Sequence, residues 1–216
     1  MKPLLVISIT LLHLVLLSAQ TLYLHGGLSH SKLDWELSFG NGPGIKQYLK
    51  PVVGYALGLG AGYFDKGLFS LRSDASFYRS GGQFTAGETS QYGQDSEVLL
   101  DYATLSTCVN INPLHGKTKV QLSLGPKLDW LLKDRHQPSL DYLTDQEAVP
   151  QLNFGIMGGL GLHRLFGKTS IGVQGWWLGR AKKLADLNIE NSPRGFGSEA
   201  AERVFLFQLS VGYKIK

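Results

Sequence analysis

Residues 205–215 have the sequence FLFQLSVGYKI, and this stretch decides the fold. Apolar side chains at 205, 207, 209, 211, 213 and 215 alternate with the residues between them. Successive side chains of a β-strand point to opposite faces, so one face of such a strand would be apolar along its whole length. Residues 119–132, KVQLSLGPKLDWLL, repeat the alternation. A period of two predicts β-strands.

Five further segments alternate in the same way: 22–28, 53–63, 69–77, 152–162 and 171–177. Segment 99–111 alternates less regularly and brings the number of candidate strands to eight. The connections alternate in length: 32–48, 80–97, 133–150 and 181–202 are long, whereas 65–67, 112–117 and 164–168 are short. Short periplasmic turns and long external loops are typical of outer-membrane barrels. We therefore predict an all-β chain that forms an eight-stranded antiparallel up-and-down transmembrane β-barrel with both termini in the periplasm.

The N-terminal segment has the features of a secretory signal peptide. Lys2 precedes an apolar stretch over 4–17, and the small residues Ser18 and Ala19 follow it. This stretch is too short for a membrane-spanning helix, which needs about 20 apolar residues. We predict a cleaved signal peptide over residues 1–19 and a barrel domain over 20–216, exported to the outer membrane of a Gram-negative cell.

Composition excludes several other classes of protein. The 216 residues have a net charge of +4 without a basic run, so we do not expect binding to nucleic acid. The single Cys108 excludes an internal disulfide, and zinc-ligand spacing is missing from the sequence. The Gly-Lys-Thr triplets at 116–118 and 167–169 lack the earlier glycine of a phosphate loop, so no cofactor is expected.

Aromatic residues cluster at both ends of the candidate strands, on their apolar faces. Two such belts are typical of a membrane barrel, where they mark the two lipid–water interfaces. A soluble lipocalin-type barrel is the alternative with the same strand number, but its polar face would meet water. Here that face contains many glycines, which suits a crowded interior better. The predicted interfacial aromatics are Tyr63, Phe69 and Tyr213 at the short-turn end, and Phe77, Trp130, Trp177 and Phe205 at the other end.

Four charged residues lie opposite the apolar faces of two candidate strands. These are Arg72 and Asp74 in one strand, and Lys127 and Asp129 in the other. A narrow barrel is filled by side chains, and buried charges must be paired or hydrated. We predict that the four form one polar cluster in the lumen, the interior of the barrel.

In their order along the chain, several segments resemble the PorT-like family of outer-membrane β-barrel proteins. The resemblance covers nearly the whole chain after residue 19. It implies an outer-membrane barrel. The name-giving member is linked to a secretion and gliding apparatus, a role that a shared fold does not transfer. The segments are YLHGGLSHSKL (23–33), LRSDASFY (71–78), DYATLSTCVNI (101–111), KVQLSLGPKLDWLL (119–132), LNFGIMGGLGL (152–162) and FQLSVGYKI (207–215).

These observations favour a non-enzymatic outer-membrane protein with a structural or interaction role and a lumen filled by side chains. A narrow pore for small solutes and an accessory component of a secretion system are alternatives. A lipid-modifying hydrolase is a weaker one, with His30–Ser31 and His136–Ser139 as close Ser/His pairs. The expected partners are outer-membrane lipid and lipopolysaccharide, the barrel-assembly machinery through the C-terminal strand, and a protein at the long loops.

Overall fold

The computed structural model describes residues 19–39, 45–48, 50–84, 96–114, 116–136, 151–181, 185–189 and 196–215. The signal peptide predicted over 1–19 therefore lies almost entirely outside the described residues. No helix in these ranges is long and apolar enough to cross a membrane. The strands are β1 (Thr21–Phe39), β2 (Ile45–Tyr48), β3 (Lys50–Lys66), β4 (Phe69–Phe84), β5 (Ser96–Ile111), β6 (Thr118–His136), β7 (Leu152–Phe166), β8 (Thr169–Arg180), β9 (Ala185–Ile189) and β10 (Phe196–Lys214).

Eight of these strands form a closed antiparallel barrel. Their order around the wall is β1-β3-β4-β5-β6-β7-β8-β10, and β10 pairs with β1 from Thr21–Lys214 to Phe39–Phe196. The short strands β2 and β9 extend the pairing of β1 and β10 at one end. Closure leaves no unpaired strand edge, which is the condition for a β-structure in lipid. The predicted fold is confirmed.

The strands are staggered around the wall, and this stagger sets the height of every lumenal side chain. The stagger can be measured by starting at Tyr63 on β3 and moving from each residue to the residue directly opposite it on the next strand. After one full circuit of the barrel this row returns to β3 at Val53, ten residues from its start. Such a shift requires strands that are tilted relative to the barrel axis. Following a row from β4 to β6 therefore moves toward the end that has the long connections.

Side chains alternate between the outer surface and the lumen as the period of two predicts. On β10, Phe207 and Leu209 are exposed, whereas Gln208 and Ser210 are buried. Exposed apolar residues occur on the outer face of all eight barrel strands. On β10 they extend over nine residues from Phe205 to Tyr213, which matches the 9 to 11 residues of a transmembrane β-strand.

Strands extend further than the sequence analysis predicted at the end with the long connections. Segment 32–48 is predicted to be a connection, but β1 continues to Phe39 and pairs with β2 from Asp34 to Leu37. Similarly, β10 begins at Phe196, within the connection predicted over 181–202. The reason is that apolar alternation follows contact with lipid, whereas backbone pairing continues beyond the lipid. The barrel therefore projects past its apolar band at this end.

Candidate functional site in the barrel lumen

An arginine–carboxylate pair lies in the lumen toward the short-turn end. Arg72 Nε donates a hydrogen bond to Asp74 Oδ1 at 2.8 Å, and Arg72 Nη2 lies 3.1 Å from His25 Nδ1. The guanidinium also lies over the ring of Tyr23, 4.4 Å from its centroid. Gly60 faces this group from β3, and a Cβ there would lie 2.3 Å from Asp74 Oδ1. The small residue therefore leaves the space that the ion pair occupies.

A second ion pair lies further along the lumen. Lys127 Nζ contacts Asp129 Oδ2, and both side chains have an exposed fraction of 0%. Thr104 Oγ1 donates a hydrogen bond of 2.7 Å to the other carboxylate oxygen of Asp129. The lysine and the aspartate are two residues apart on one strand, so they project side by side from the same face.

A third group contains two charged residues, Arg180 and Glu202, that the sequence analysis did not assign to the lumen. Arg180 forms an ion pair with Glu202 and donates a 3.1 Å hydrogen bond from Nη1 to Tyr102 Oη. Its guanidinium lies 4.4 Å from the centroid of the Tyr102 ring, and Tyr102 stacks on Tyr78 with centroids 5.3 Å apart. Gln174, Trp176 and Arg180 are separated by even numbers of residues on β8, so their side chains point to the same, inward face. This alternation could have identified Arg180 as a lumenal residue. Glu202 lay in a predicted connection.

The four charges predicted from sequence are all buried, but they form two pairs and not one cluster. Among the described residues, no ion pair or hydrogen bond joins Arg72 or Asp74 to Lys127 or Asp129. The prediction of one cluster is therefore wrong. Asp74, Ser106 and Lys127 lie in one row of opposed residues. Because rows climb around a staggered barrel, Lys127 lies nearer the long-connection end, and each cation pairs within its own strand.

The predicted interfacial aromatics lie on the outer surface at the two ends of the apolar band. Tyr63, Phe69 and Tyr213 are near the short turns, and Tyr63 Oη is hydrogen-bonded to Ser73 Oγ at 2.7 Å. Phe77, Trp130, Trp177 and Phe205 face outward near the opposite end. Among the described residues, five further aromatics are exposed that the sequence analysis did not include: Tyr55, Phe64, Phe154, Phe166 and Phe207.

The candidate hydrolase pair on β1 is not assembled. His30 is exposed on the outer surface, whereas Ser31 is fully buried in the lumen, where its Oγ accepts from Gly81 N at 2.8 Å. The side chains of His136 and Ser139 lie outside the described residues. Cys108 is buried, and the described ranges contain no group of three or more His, Cys, Asp or Glu that could hold a metal.

Comparisons with known proteins support the fold and leave the family open. No family model matches the chain. No curated protein matches it in sequence. The PorT-like resemblance therefore stays a prediction.

Solved structures, in contrast, do match. OprG from Pseudomonas aeruginosa, an outer membrane protein, is similar with a TM-score of 0.58 and 10% identity over 91% of this chain and 97% of that chain. Neisserial surface protein A gives a TM-score of 0.43 and 12% identity, covering 90% and 97%. The outer membrane enzyme PagL gives 0.33 and 16%, covering 87% and 99%. Because the sequence identity to OprG is only 10%, the similarity shows the fold alone: the chain has the fold of outer-membrane β-barrels.

Proposed function

We propose that the chain is an integral outer-membrane protein with a structural or interaction role, and that its lumen does not conduct. One observation supports this most strongly: Arg180 on β8 reaches across the lumen and donates a hydrogen bond to Tyr102 on β5, three strands away around the wall. This contact belongs to the mid-lumen layer, which is made of Tyr78, Tyr102, Lys127, Arg180 and Glu202. In this layer Tyr102 stacks on Tyr78 of the neighbouring strand, Arg180 pairs with Glu202 of the neighbouring strand, and Lys127 pairs within its own strand. Interlocked pairs of this kind resist displacement by a passing solute.

Conductance of the purified barrel in a planar lipid bilayer tests this proposal. Insertion is first verified by protection of the barrel from protease. The wild-type protein is expected to give no stable current steps, and the double variant Tyr78→Ala/Tyr102→Ala, which widens the lumen, serves as the matched control for sensitivity. Stable steps from the wild-type protein would contradict the proposal and favour the narrow pore.

The outer surface also supports contact with phosphate-bearing lipid at the long-connection end. Asp101 is shared by Arg79, at 2.7 Å, and Arg135, at 3.5 Å. Both arginines lie beyond the apolar band, and the side chain of Arg135 is 49% exposed. Anionic headgroups of lipopolysaccharide would lie at this level if the long connections face outward.

A second group that contains an exposed arginine lies on β1 and β10. Asp34 is 3.2 Å from Arg203 and 3.6 Å from Lys32. Each group contains an exposed arginine, Arg135 in the first and Arg203 in the second, and these arginines lie just above the lipid. Arginine is well suited to phosphate because its planar donors can bind two oxygens at once.

Thermal unfolding in vesicles with and without lipopolysaccharide tests this part. Lipopolysaccharide should raise the Tm of the wild-type protein, and Arg135→Gln/Arg203→Gln should lose most of that increase. The control Lys66→Gln/Lys117→Gln removes the same charge at the opposite end and should retain it. Equal losses in both variants would show that the basic groups have no specific role.

A further inference from the structure

A cavity of about 160 Å³ opens at the short-turn end of the barrel. It is separate from the mid-lumen layer and ends against Arg72, and its mouth is formed by residues of the short turns and of the last strand. A water molecule takes up about 30 Å³ of liquid, so the space would accept a group of roughly five waters. The cavity therefore has the size of a small polar ligand.

The lining of this cavity has an excess of positive charge. Lys119, Lys168, Lys214 and Arg72 line it, together with a single carboxylate, that of Asp65. Asp65 lies 3.6 Å from Lys119, and Asp74 pairs with Arg72 behind the cavity floor. Two lysines remain without a carboxylate partner in the described part of the chain, Lys168 and Lys214.

These two lysines are placed directly beside each other by the strand pairing. Thr169 is opposite Tyr213 in the register of β8 and β10, and Lys214 N donates a 2.7 Å hydrogen bond to Lys168 O. Like charges opposite each other on neighbouring strands are destabilising. A bound anion would remove that repulsion, so the rim of the cavity favours one.

The cavity floor provides a second, independent indication of a ligand. Arg72 is 2% exposed, and its Nε and Nη2 are used by Asp74 and His25. The third nitrogen, Nη1, is buried without a hydrogen-bond partner among the described residues. Buried charged donors are normally satisfied, so this nitrogen, on a residue that lines the cavity, is available to an acceptor that enters it.

We propose that this cavity binds a small oxyanion, a phosphate or a carboxylate group, between the Lys168–Lys214 rim and the Arg72 floor. Lysine and arginine recognise both groups through charge-assisted hydrogen bonds. In the orientation expected for the barrel, the site opens to the periplasm. Two sources would present an oxyanion at the periplasmic mouth of the cavity: free phosphate and the terminal carboxylate of a cell-wall peptide.

Calorimetric titration of the full-length folded protein in nanodiscs tests the proposal, with inorganic phosphate in one arm and an acetylated D-alanyl-D-alanine dipeptide in the other. Saturable binding in either arm is the expected result, and the arm that binds identifies the source. Lys168→Gln/Lys214→Gln should weaken binding by about tenfold or more, since each lost lysine removes a charge-assisted contact.

The matched control is Lys66→Gln/Lys117→Gln, which removes two lysines at the same end that do not line the cavity. This variant should bind as the wild-type protein does. Because anion binding relieves the repulsion between Lys168 and Lys214, phosphate or dipeptide should also raise the urea midpoint of the wild-type protein and not that of the rim variant. Failure of both anions to bind at millimolar concentration, or equal weakening in the rim and control variants, would overturn the proposal.

Discussion

Neutralising one member of the Lys127–Asp129 pair should destabilise the barrel strongly, whereas neutralising both should not. In Lys127→Met, the fully buried carboxylate of Asp129 loses its cation and keeps the Thr104 hydroxyl as a donor. Stranding a buried charge costs about 3 to 5 kcal/mol. Asp129→Asn strands the lysine and should cost a similar amount.

The double variant removes the charge and retains an acceptor for Thr104, because the asparagine oxygen occupies the place of Asp129 Oδ1. One buried amide donor stays unpaired, at a cost of about 1 to 3 kcal/mol. The double variant should therefore be less destabilised than either single variant. The difference from the sum of the single effects is the coupling free energy of the pair.

Urea unfolding of the protein in lipid vesicles, followed by tryptophan fluorescence, measures these free energies. Equal slopes of the free energy against urea would show that the variants unfold from the same native state. Arg203→Met is the exposed control: its partner is Asp34, its side chain is 71% exposed, and such pairs contribute about 0 to 1 kcal/mol. Single variants no more destabilised than this control, or additive effects in the double variant, would refute the reasoning.

Three further outcomes are expected from the same barrel. Gly60→Ala places a Cβ 2.3 Å from Asp74 Oδ1 and should cost about 1 to 3 kcal/mol in the same urea assay, whereas Gly175→Ala, with no atom within 4 Å, should be neutral. Leu209→Arg introduces a charge in the middle of the outer apolar face and should cost about 2 to 4 kcal/mol, more than Ile215→Arg at its end; equal costs would argue against a lipid-facing surface. The native protein should sediment with outer membranes and migrate differently on gels before and after heating, and recovery as a soluble periplasmic protein would contradict this.

Apolar alternation was sufficient to predict the barrel and the direction of its side chains. On β10, for example, the exposed and buried residues alternate as the period of two requires: Leu206, Gln208 and Ser210 are buried, and the exposed residues are Phe205, Phe207, Leu209, Val211 and Tyr213. The strand ends could not be predicted in this way. Lys32 and Asp34 follow the apolar part of β1 without breaking its pairing with β10, so the pattern ends where the lipid does and the strand continues.

The arrangement of the lumenal charges depends on information that a single strand does not contain. Alternation places Arg72 and Lys127 on inward faces, but their relative heights follow from the stagger of all eight strands. The same stagger brings Arg180 and Tyr102 together from strands 78 positions apart in the chain. These contacts are long-range consequences of closure.

Two neighbouring tryptophans allow the central claim, a barrel with lipid outside and a filled lumen inside, to be tested directly. Trp176 is 4% exposed and faces the lumen, whereas Trp177 is 43% exposed on the outer surface. Two single-tryptophan proteins are needed, in which phenylalanine replaces the other three tryptophans and either Trp176 or Trp177 is kept. Both are reconstituted into vesicles of phospholipid brominated near the carbonyl groups. The fluorescence of Trp177 should be quenched strongly and that of Trp176 weakly; equal quenching of the two, or stronger quenching of Trp176, would contradict the account.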